Sequence, residues 1–75
     1  MISLDKLKTG QLGMVLDVNG GDEFLSKVSS MGFTPNVEVA MVKNHKKAPL
    51  IVYLRDSEII IDRNQAKRID IRRRE

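Results

Sequence analysis

The sequence predicts a mainly β fold, built as a small closed or nearly closed barrel of about five strands with one short plug helix and single-turn helices. The 75 residues suffice for one domain, which we take to span residues 1–75. Several short runs alternate apolar and polar residues, as strands do, whereas a single longer stretch has the helical period. A barrel is favoured over an open sheet because strands this apolar would otherwise leave aggregation-prone edges.

The N-terminal segment predicts one helical turn followed by a strand. Leu4 and Leu7 are spaced as on one face of a helical turn, with Ser3 as the expected N-cap and Gly10 as the stop. Residues 11–18 are rich in apolar side chains and predict the first strand. The cluster at residues 19–21, Asn-Gly-Gly, predicts a turn that leads into the next element.

A helix that turns sharply into a strand is predicted between residues 22 and 42. The apolar residues of one helical face are Phe24, Leu25, Val28 and Met31. Asp22 is the expected N-cap, and Gly32 stands where a helix end favours a left-handed residue. Pro35 cannot continue the helix, and residues 37–42 then alternate in the period of a strand.

The C-terminal half predicts a loop, a hairpin and a closing strand. The polar loop at residues 43–48 ends at Pro49, which suits the first position of a strand. Residues 50–54 and 58–61 predict two strands joined through Arg-Asp-Ser at 55–57. One helical turn over residues 62–68, with Asp62 as its N-cap, then precedes a strand in which Ile69 and Ile71 flank Asp70.

Composition excludes several classes of protein. The chain has no cysteine, so thiolate metal sites, disulfides and cysteine nucleophiles are absent. No apolar run approaches the ~18 residues of a membrane span, and residues 1–5 lack the pattern of a secretion signal. We therefore expect a cytoplasmic protein. The net charge of +3 is concentrated in two clusters, one formed by Lys43, Lys46 and Lys47 and the other by Arg72, Arg73 and Arg74.

Three segments resemble the FeoA family, the small cytoplasmic component of bacterial ferrous iron transport, which is built as an SH3-like barrel. Leu4 and Leu7, followed by Lys-Thr-Gly-Gln at residues 8–11, resemble the opening of the family. The run Met-Gly-Phe-Thr-Pro at residues 31–35, followed by Val-Glu-Val, resembles its most specific motif. The residues that resemble its closing half are Pro49, the strand at 50–54, Arg63, Ala66 and Ile69.

Two positions depart from the family pattern. Asn36 stands where the family usually has glycine, and asparagine is the next best residue for a left-handed backbone. The loop at residues 44–48 reads Asn-His-Lys-Lys-Ala instead of a short Leu-Gly-Asp type sequence. The same barrel occurs as the C-terminal module of metal-dependent repressors similar to the diphtheria toxin repressor, and a chain with its own Met1 favours FeoA over that alternative.

The resemblance implies an accessory role in iron uptake. The implied partner is the cytoplasmic region of a FeoB-type ferrous iron transporter, a membrane protein with a guanine-nucleotide-binding domain. The protein would assist assembly or regulation and would reach the inner face of the membrane through this partner alone. Family-level metal association, with Fe(II) or another divalent ion, is expected to be weak.

The residues themselves predict neither a tight metal site nor catalysis. His45 is the sole histidine, and the nearest carboxylate pairs are Asp22 with Glu23 and Asp56 with Glu58, whereas a ferrous site gathers imidazoles and carboxylates in one shell. No nucleophile elbow and no phosphate-binding glycine loop is present. We expect no enzymatic activity, no bound cofactor and no metal ligands.

A small basic barrel that binds RNA is the rival class. Binding of single strands needs exposed aromatic rings beside basic residues. The chain has three aromatic residues, of which Phe24 and Phe33 are expected to face the core while Tyr53 is expected to be exposed. One ring is not a stacking platform, so the composition argues against nucleic acid as a partner.

Two surfaces are predicted to bind a protein partner. The first is the helix and its exit, with Lys27, Met31, Phe33 and Thr34. The second is the basic loop, with Lys43, His45, Lys46 and Lys47, which would meet an acidic face in a salt-dependent way. The alternative for Met31 and Phe33 is that both belong to the core.

Overall fold

Six antiparallel strands form one sheet in the computed structural model, which describes residues 1–74. The strands lie in the spatial order β1-β6-β2-β3-β4-β5. Their bounds are β1 Ile2–Ser3, β2 Leu12–Val18, β3 Glu38–Lys43, β4 Leu50–Leu54, β5 Ser57–Ile61 and β6 Ile69–Arg73. The sheet has the mainly β, SH3-like form that was predicted, although β1 and β5 remain as two edges instead of closing on each other.

The five predicted strands are all present, and their ends mostly lie within one residue of the expected positions. The first strand, β1, was not predicted. It consists of Ile2 and Ser3, which pair with Ile71 and Asp70 of β6. Two residues are too few to show an alternating pattern, so the strand depends on a long-range pairing that local sequence does not reveal.

Two α-helices and one 3₁₀ turn interrupt the strands. Helix α1 spans Asp22–Ser30 and α2 spans Arg63–Ala66, while the 3₁₀ turn covers Leu4–Lys6. The expected cap of α2 is confirmed, because the Asp62 carboxylate accepts a hydrogen bond from the Asn64 backbone N–H at 3.3 Å. Neither α-helix in the described part of the chain has the length and apolar character needed to cross a membrane.

Two other predicted helix boundaries, those at Asp22 and Gly10, were wrong. Asp22 is the first residue of α1 and not its cap, since Gly21 holds the N-cap position without a side-chain hydrogen bond. Ser3 holds the expected N-cap position of the 3₁₀ turn, but its hydroxyl donates to the Asp5 carboxylate and not to a backbone group, so the cap lacks a side-chain hydrogen bond to the backbone. That turn ends at Lys6, and Gly10 lies in a later turn with φ +88°.

The core lies between the curved sheet and the short helices. Helix α1 contributes Val28, which is fully buried, and the chain just after it contributes Phe33, the largest fully buried side chain. The remaining fully or almost fully buried core residues are Leu4, Leu7, Val15, Val39, Met41, Leu50, Val52, Leu54, Ile61, Ala66, Ile69 and Ile71. Helix α1 is therefore a plug on the sheet, as its spacing predicted.

Left-handed residues form two of the tight turns. Arg55 and Asp56 have φ +49° and +62°, and the flanking Leu54 and Ser57 are paired. These values define a two-residue type I′ turn, made here without the usual Asn-Gly. The predicted hairpin is present, but its loop is one residue shorter than expected because Ser57 belongs to β5. Asn36 has φ +73°, which confirms the expected left-handed turn.

Candidate partner-binding surfaces

The helix exit is held by a Schellman motif. The backbone N–H of Phe33 donates to the carbonyl of Val28 at 3.0 Å, and that of Gly32 donates to Ser29 at 3.0 Å. Gly32 adopts φ +108°, a conformation that glycine reaches without strain. Both Phe33 and Val28 are fully buried, which supplies the apolar contact that accompanies this motif. The resemblance motif Met-Gly-Phe-Thr-Pro therefore works as a helix stop.

The four residues predicted to form the helix-exit surface differ in how far they are buried. Phe33 has no exposed side-chain surface, so its expected place on the partner surface was wrong and the core alternative holds for it. The reason is the Schellman geometry, which turns the residue after Gly32 back onto the helix. Met31 is half-buried against the core, and Lys27 is exposed. Thr34 is half-buried and lies just beyond the turn.

Arg55 is a residue of the helix exit that the sequence did not indicate. From the β4–β5 turn, its Nε donates to the Gly32 carbonyl at 3.3 Å and one terminal nitrogen donates to Thr34 Oγ1 at 2.8 Å. These bonds fasten the hairpin to the segment after α1. Arg55 looked like a turn residue because its partners are 21 and 23 positions away in the sequence.

Lys27 lies on a different part of the surface from Thr34. It lines an open groove of about 410 Å³ between α1 and α2, together with Phe24 and Arg68. The Arg68 guanidinium lies 5.0 Å from the centre of the Phe24 ring, a cation–π distance. The half-buried Phe24 ring is thus covered on one side, which explains why it is not available for stacking.

The basic loop is attached to the rest of the protein through Asn44, the residue that follows β3. The Asn44 side chain donates through Nδ2 to the carbonyls of Asp5 and Leu7, at 3.1 and 2.7 Å. Its Oδ1 accepts from Arg63 at 2.7 Å, and the Asn44 N–H donates to Thr9 Oγ1 at 2.9 Å. One asparagine therefore joins the loop to the N-terminal turn and to α2.

Arg63 supports the loop from the side of α2. Besides binding Asn44, it donates to the backbone carbonyl of His45. Its Nε is buried and has no hydrogen-bond partner among residues 1–74. The four residues of the loop that were predicted to bind a partner are all exposed, namely Lys43, His45, Lys46 and Lys47. Lys47 adopts a left-handed conformation with φ +68°, which turns the chain. A set of exposed cationic and polar side chains therefore projects from a fixed backbone.

The two predicted surfaces are not brought together. The basic loop precedes Leu50 at one end of β4, whereas Arg55 and the helix exit lie beyond Leu54 at the other end. The five residues of β4 extend over ~13 Å at the usual rise per residue. A small partner element would contact one surface or the other, so the two have to be tested separately.

The carboxylates do not gather into a metal site. Within residues 1–74, no three His, Cys, Asp or Glu side chains lie together in a way that could hold an ion. Asp22 and Glu23 are exposed at the start of α1, and Asp56 accepts a long hydrogen bond from the Tyr53 hydroxyl at 3.4 Å. The carboxylates and the imidazole of residues 1–74 therefore lie apart from one another, unlike the gathered ligands of a ferrous site.

The six-stranded antiparallel sheet, its single plug helix and its exposed polar loops define a small SH3-like β module. Its surface has an open groove between α1 and α2 and an exposed basic loop. The chain belongs to the FeoA domain family, whose model matches residues 2–73.

Solved structures agree with this fold. The crystal structure of an iron uptake regulatory protein, FeoA, matches with a TM-score of 0.92 and 26% identity over 96% of each chain. FeoA from Stenotrophomonas maltophilia in complex with zinc, described as a procaryotic SH3 domain protein, matches with a TM-score of 0.81 and 22% identity, over 95% of this chain and 89% of that one. A comparison with curated proteins finds no match.

A regulator shares the fold as well. A manganese-dependent transcriptional repressor matches with a TM-score of 0.83 and 14% identity, over 95% of this chain but 40% of that one. At this identity the likeness concerns the fold alone. It shows that the barrel expected from the repressor family and the barrel of the FeoA family are the same architecture.

Proposed function

We propose that this protein is a non-enzymatic accessory component of ferrous iron uptake that docks on the cytoplasmic region of a FeoB-type transporter. The observation that carries the proposal is the match of the FeoA family model to residues 2–73. FeoA of Stenotrophomonas maltophilia has been considered as a ferrous iron transport activating factor, which supports the same role here. Docking would assist assembly or regulation of the transporter.

The basic loop is the surface we favour for this contact. Lys43, His45, Lys46 and Lys47 are exposed, while Asn44 and Arg63 hold the backbone that presents them. A preorganised loop loses less conformational entropy on binding than a free one. Its positive charge would steer it toward an acidic face of the partner and would make the association sensitive to salt.

RNA binding has less support. Phe33 is buried and Phe24 is covered by Arg68, so Tyr53, which is 44% exposed, is the one aromatic ring with a largely open face among the described residues. Single-strand binding uses several stacked bases in succession. The basic loop lies beyond one end of β4 and does not surround Tyr53.

The test is an amide chemical-shift titration of the labelled protein with the purified nucleotide-binding cytoplasmic domain of the transporter. We expect shifts centred on residues 43–47 at low salt, and weaker binding at physiological salt. Lys46→Glu should weaken binding, whereas Arg73→Glu, which makes the same charge change at the exposed end of β6, should not. Lys27→Glu tests the helix surface.

Each outcome has a distinct meaning. Shifts confined to Met31, Thr34 and their neighbours would move the contact to the helix exit. The absence of shifts in either nucleotide state at high protein concentration would reject docking on that domain.

A further inference from the structure

The open edge of the sheet at β5 has the features of a second binding site. β5 pairs with β4 on one side and is the last strand in the sheet order. The opposite edge is β1, which has only two residues and leads directly into the 3₁₀ turn. Of the two edges, β5 alone offers enough length to pair with another extended chain.

The type I′ turn determines which backbone groups of β5 face outward. In such a turn the Leu54 carbonyl accepts from the Ser57 N–H, so Leu54 and Ser57 form a hydrogen-bonded pair. Hydrogen-bonded and non-bonded pairs alternate along an antiparallel ladder. The N–H and C=O groups of Glu58 and Ile60 therefore point away from β4. No backbone hydrogen bond outside the sheet pairing involves either residue in the described part of the chain.

β5 lacks most of the features with which sheet edges usually prevent pairing, since Glu58 is its one charged residue. Its sequence, Ser-Glu-Ile-Ile-Ile, contains no proline and no lysine, and its register with β4 has no bulge. Ile60 is 68% exposed, more than any other large apolar side chain in residues 1–74 except the terminal Met1. A strand added at this edge would cover Ile60 and satisfy the outward backbone groups.

The charges around β5 indicate whether a second copy of this chain or a segment of another protein would pair with this edge. Three exposed carboxylates, those of Asp56, Glu58 and Asp62, flank Ile60 on a chain whose net charge is +3. In a symmetric antiparallel pairing with a second copy, the outward residues allow three registers. These place Asp56 opposite Asp62, Glu58 opposite Glu58, or Glu58 opposite Asp62 of the second copy. Like charges directly opposite each other are destabilising, so the two registers that place a carboxylate opposite Glu58 disfavour self-association, and the third brings Asp56 of the turn near Asp62 of the second copy.

We propose that β5 accepts an extended segment of another protein as an additional strand, and that this segment has alternating apolar residues and a basic residue at each end. The segment would form backbone hydrogen bonds with Glu58 and Ile60, would cover the Ile60 side chain, and would place its basic ends near Asp56 and Asp62. This site is separate from the basic loop. It does not depend on the identity of the partner of that loop.

The test uses two synthetic peptides on the full chain. The first is Lys-Thr-Val-Thr-Val-Thr-Lys, and the second has glutamate in place of both lysines. We expect the lysine peptide to shift the amides of β5 and to slow deuterium exchange at Glu58 and Ile60. The glutamate peptide should bind about tenfold more weakly at low salt.

Ile60→Pro isolates the backbone contribution. The Ile60 N–H faces away from β4, so proline removes a donor to the added strand while the β4–β5 ladder is kept. We expect at least about tenfold weaker binding of the lysine peptide. Ile60→Thr is the matched control, since it keeps the N–H and should weaken binding only a few-fold. Exchange protection at Glu58 and Ile60 in the unaltered chain tests the same pairing if the proline variant fails to fold.

Four results would overturn the proposal. These are no β5 shifts at millimolar peptide, peptide shifts that centre on residues 43–47 instead, equal affinity for both peptides at low salt, and undiminished binding to folded Ile60→Pro. Concentration-dependent broadening of β5 signals without peptide would show that a second copy occupies the edge, which also contradicts the proposal.

Discussion

Replacement of Asn44 by alanine tests whether the basic loop is a built surface. The side chain makes two hydrogen bonds through Nδ2 to the carbonyls of Asp5 and Leu7 and accepts one from Arg63. All three bonds are partly buried. Asn44→Ala would therefore remove one hydrogen-bond partner from each of two carbonyl groups and from the Arg63 guanidinium, which keeps its bond to the His45 carbonyl.

The magnitude follows from these three bonds. Each neutral bond contributes ~1 kcal/mol net, and a bond to a charged group contributes ~1.5–3 kcal/mol. Because Asn44 is half-buried, water replaces part of the lost hydrogen bonding. We therefore expect Asn44→Ala to lower the free energy of unfolding by ~2–4 kcal/mol. A domain of this size has a total unfolding free energy of ~4–11 kcal/mol, and each kcal/mol lowers the melting temperature by ~4–8 °C. Asn44→Ala should thus melt at least ~8 °C lower.

The assay is urea unfolding followed by circular dichroism, with Asn19→Ala as the matched control. Asn19 also uses its side-chain amide, but its single bond to Asp70 is exposed, so that variant should lose less than ~1 kcal/mol. Amide exchange would report faster opening of residues 44–48 in Asn44→Ala. A loss below ~1 kcal/mol at unchanged urea dependence would refute the reasoning that Asn44 supports the loop.

Three further substitutions test other parts of the structure by the same unfolding assay. Gly13→Ala would place a methyl group 2.4 Å from the Ile71 Cγ2 atom in the core and should cost ~1–3 kcal/mol; an unchanged midpoint would contradict the close packing of β2 against β6. Asp56→Gly relieves a left-handed residue and should add ~0.5–1 kcal/mol, whereas a decrease would show that the Asp56 carboxylate stabilises the turn. Arg55→Lys removes the two-nitrogen contact with Gly32 and Thr34 and should cost ~1 kcal/mol, and a wild-type midpoint would show that this contact is only superficial.

The strands and the plug helix could be predicted because their signals are local. Alternation along residues 37–42 and 50–54 reflects one buried face, and the buried residues Val39, Met41, Val52 and Leu54 have the expected parity. The stop at Gly32 was likewise visible, because few residues other than glycine adopt φ +108°. Patterns of this kind need no knowledge of distant contacts.

The polar contacts that shape the surfaces could not be predicted in the same way. Asn44 binds residues 37 and 39 positions earlier, and Arg55 binds residues 21 and 23 positions earlier. Neither side chain has a periodic signal, and both lie in segments that looked like ordinary loops. The resemblance did single out Arg63, and the structure supplies its physical role as the support of Asn44 and His45.

At the helix exit, the sequence-based expectation for Phe33 differs from its position in the structure. Phe33 belongs to the most specific motif of the resemblance, and its place beside Met31 among polar residues of the helix exit suggested a partner contact. Its complete burial shows that the motif instead describes a helix end and a core position. Of the predicted exit residues, Lys27 is exposed and Met31 and Thr34 are half-buried, and the Thr34 hydroxyl already accepts from Arg55.

Salt dependence separates the two binding surfaces proposed for this chain. The basic loop relies on exposed charges, so raising the salt from low to physiological concentration should weaken its association markedly. The β5 edge relies on backbone hydrogen bonds at Glu58 and Ile60 and on covering the Ile60 side chain, with the carboxylates adding selectivity. Its affinity for the lysine peptide should therefore fall toward that for the glutamate peptide at high salt without being lost. If both peptides ceased to bind as salt rose, charge alone would account for the association, and the backbone pairing inferred at β5 would be wrong.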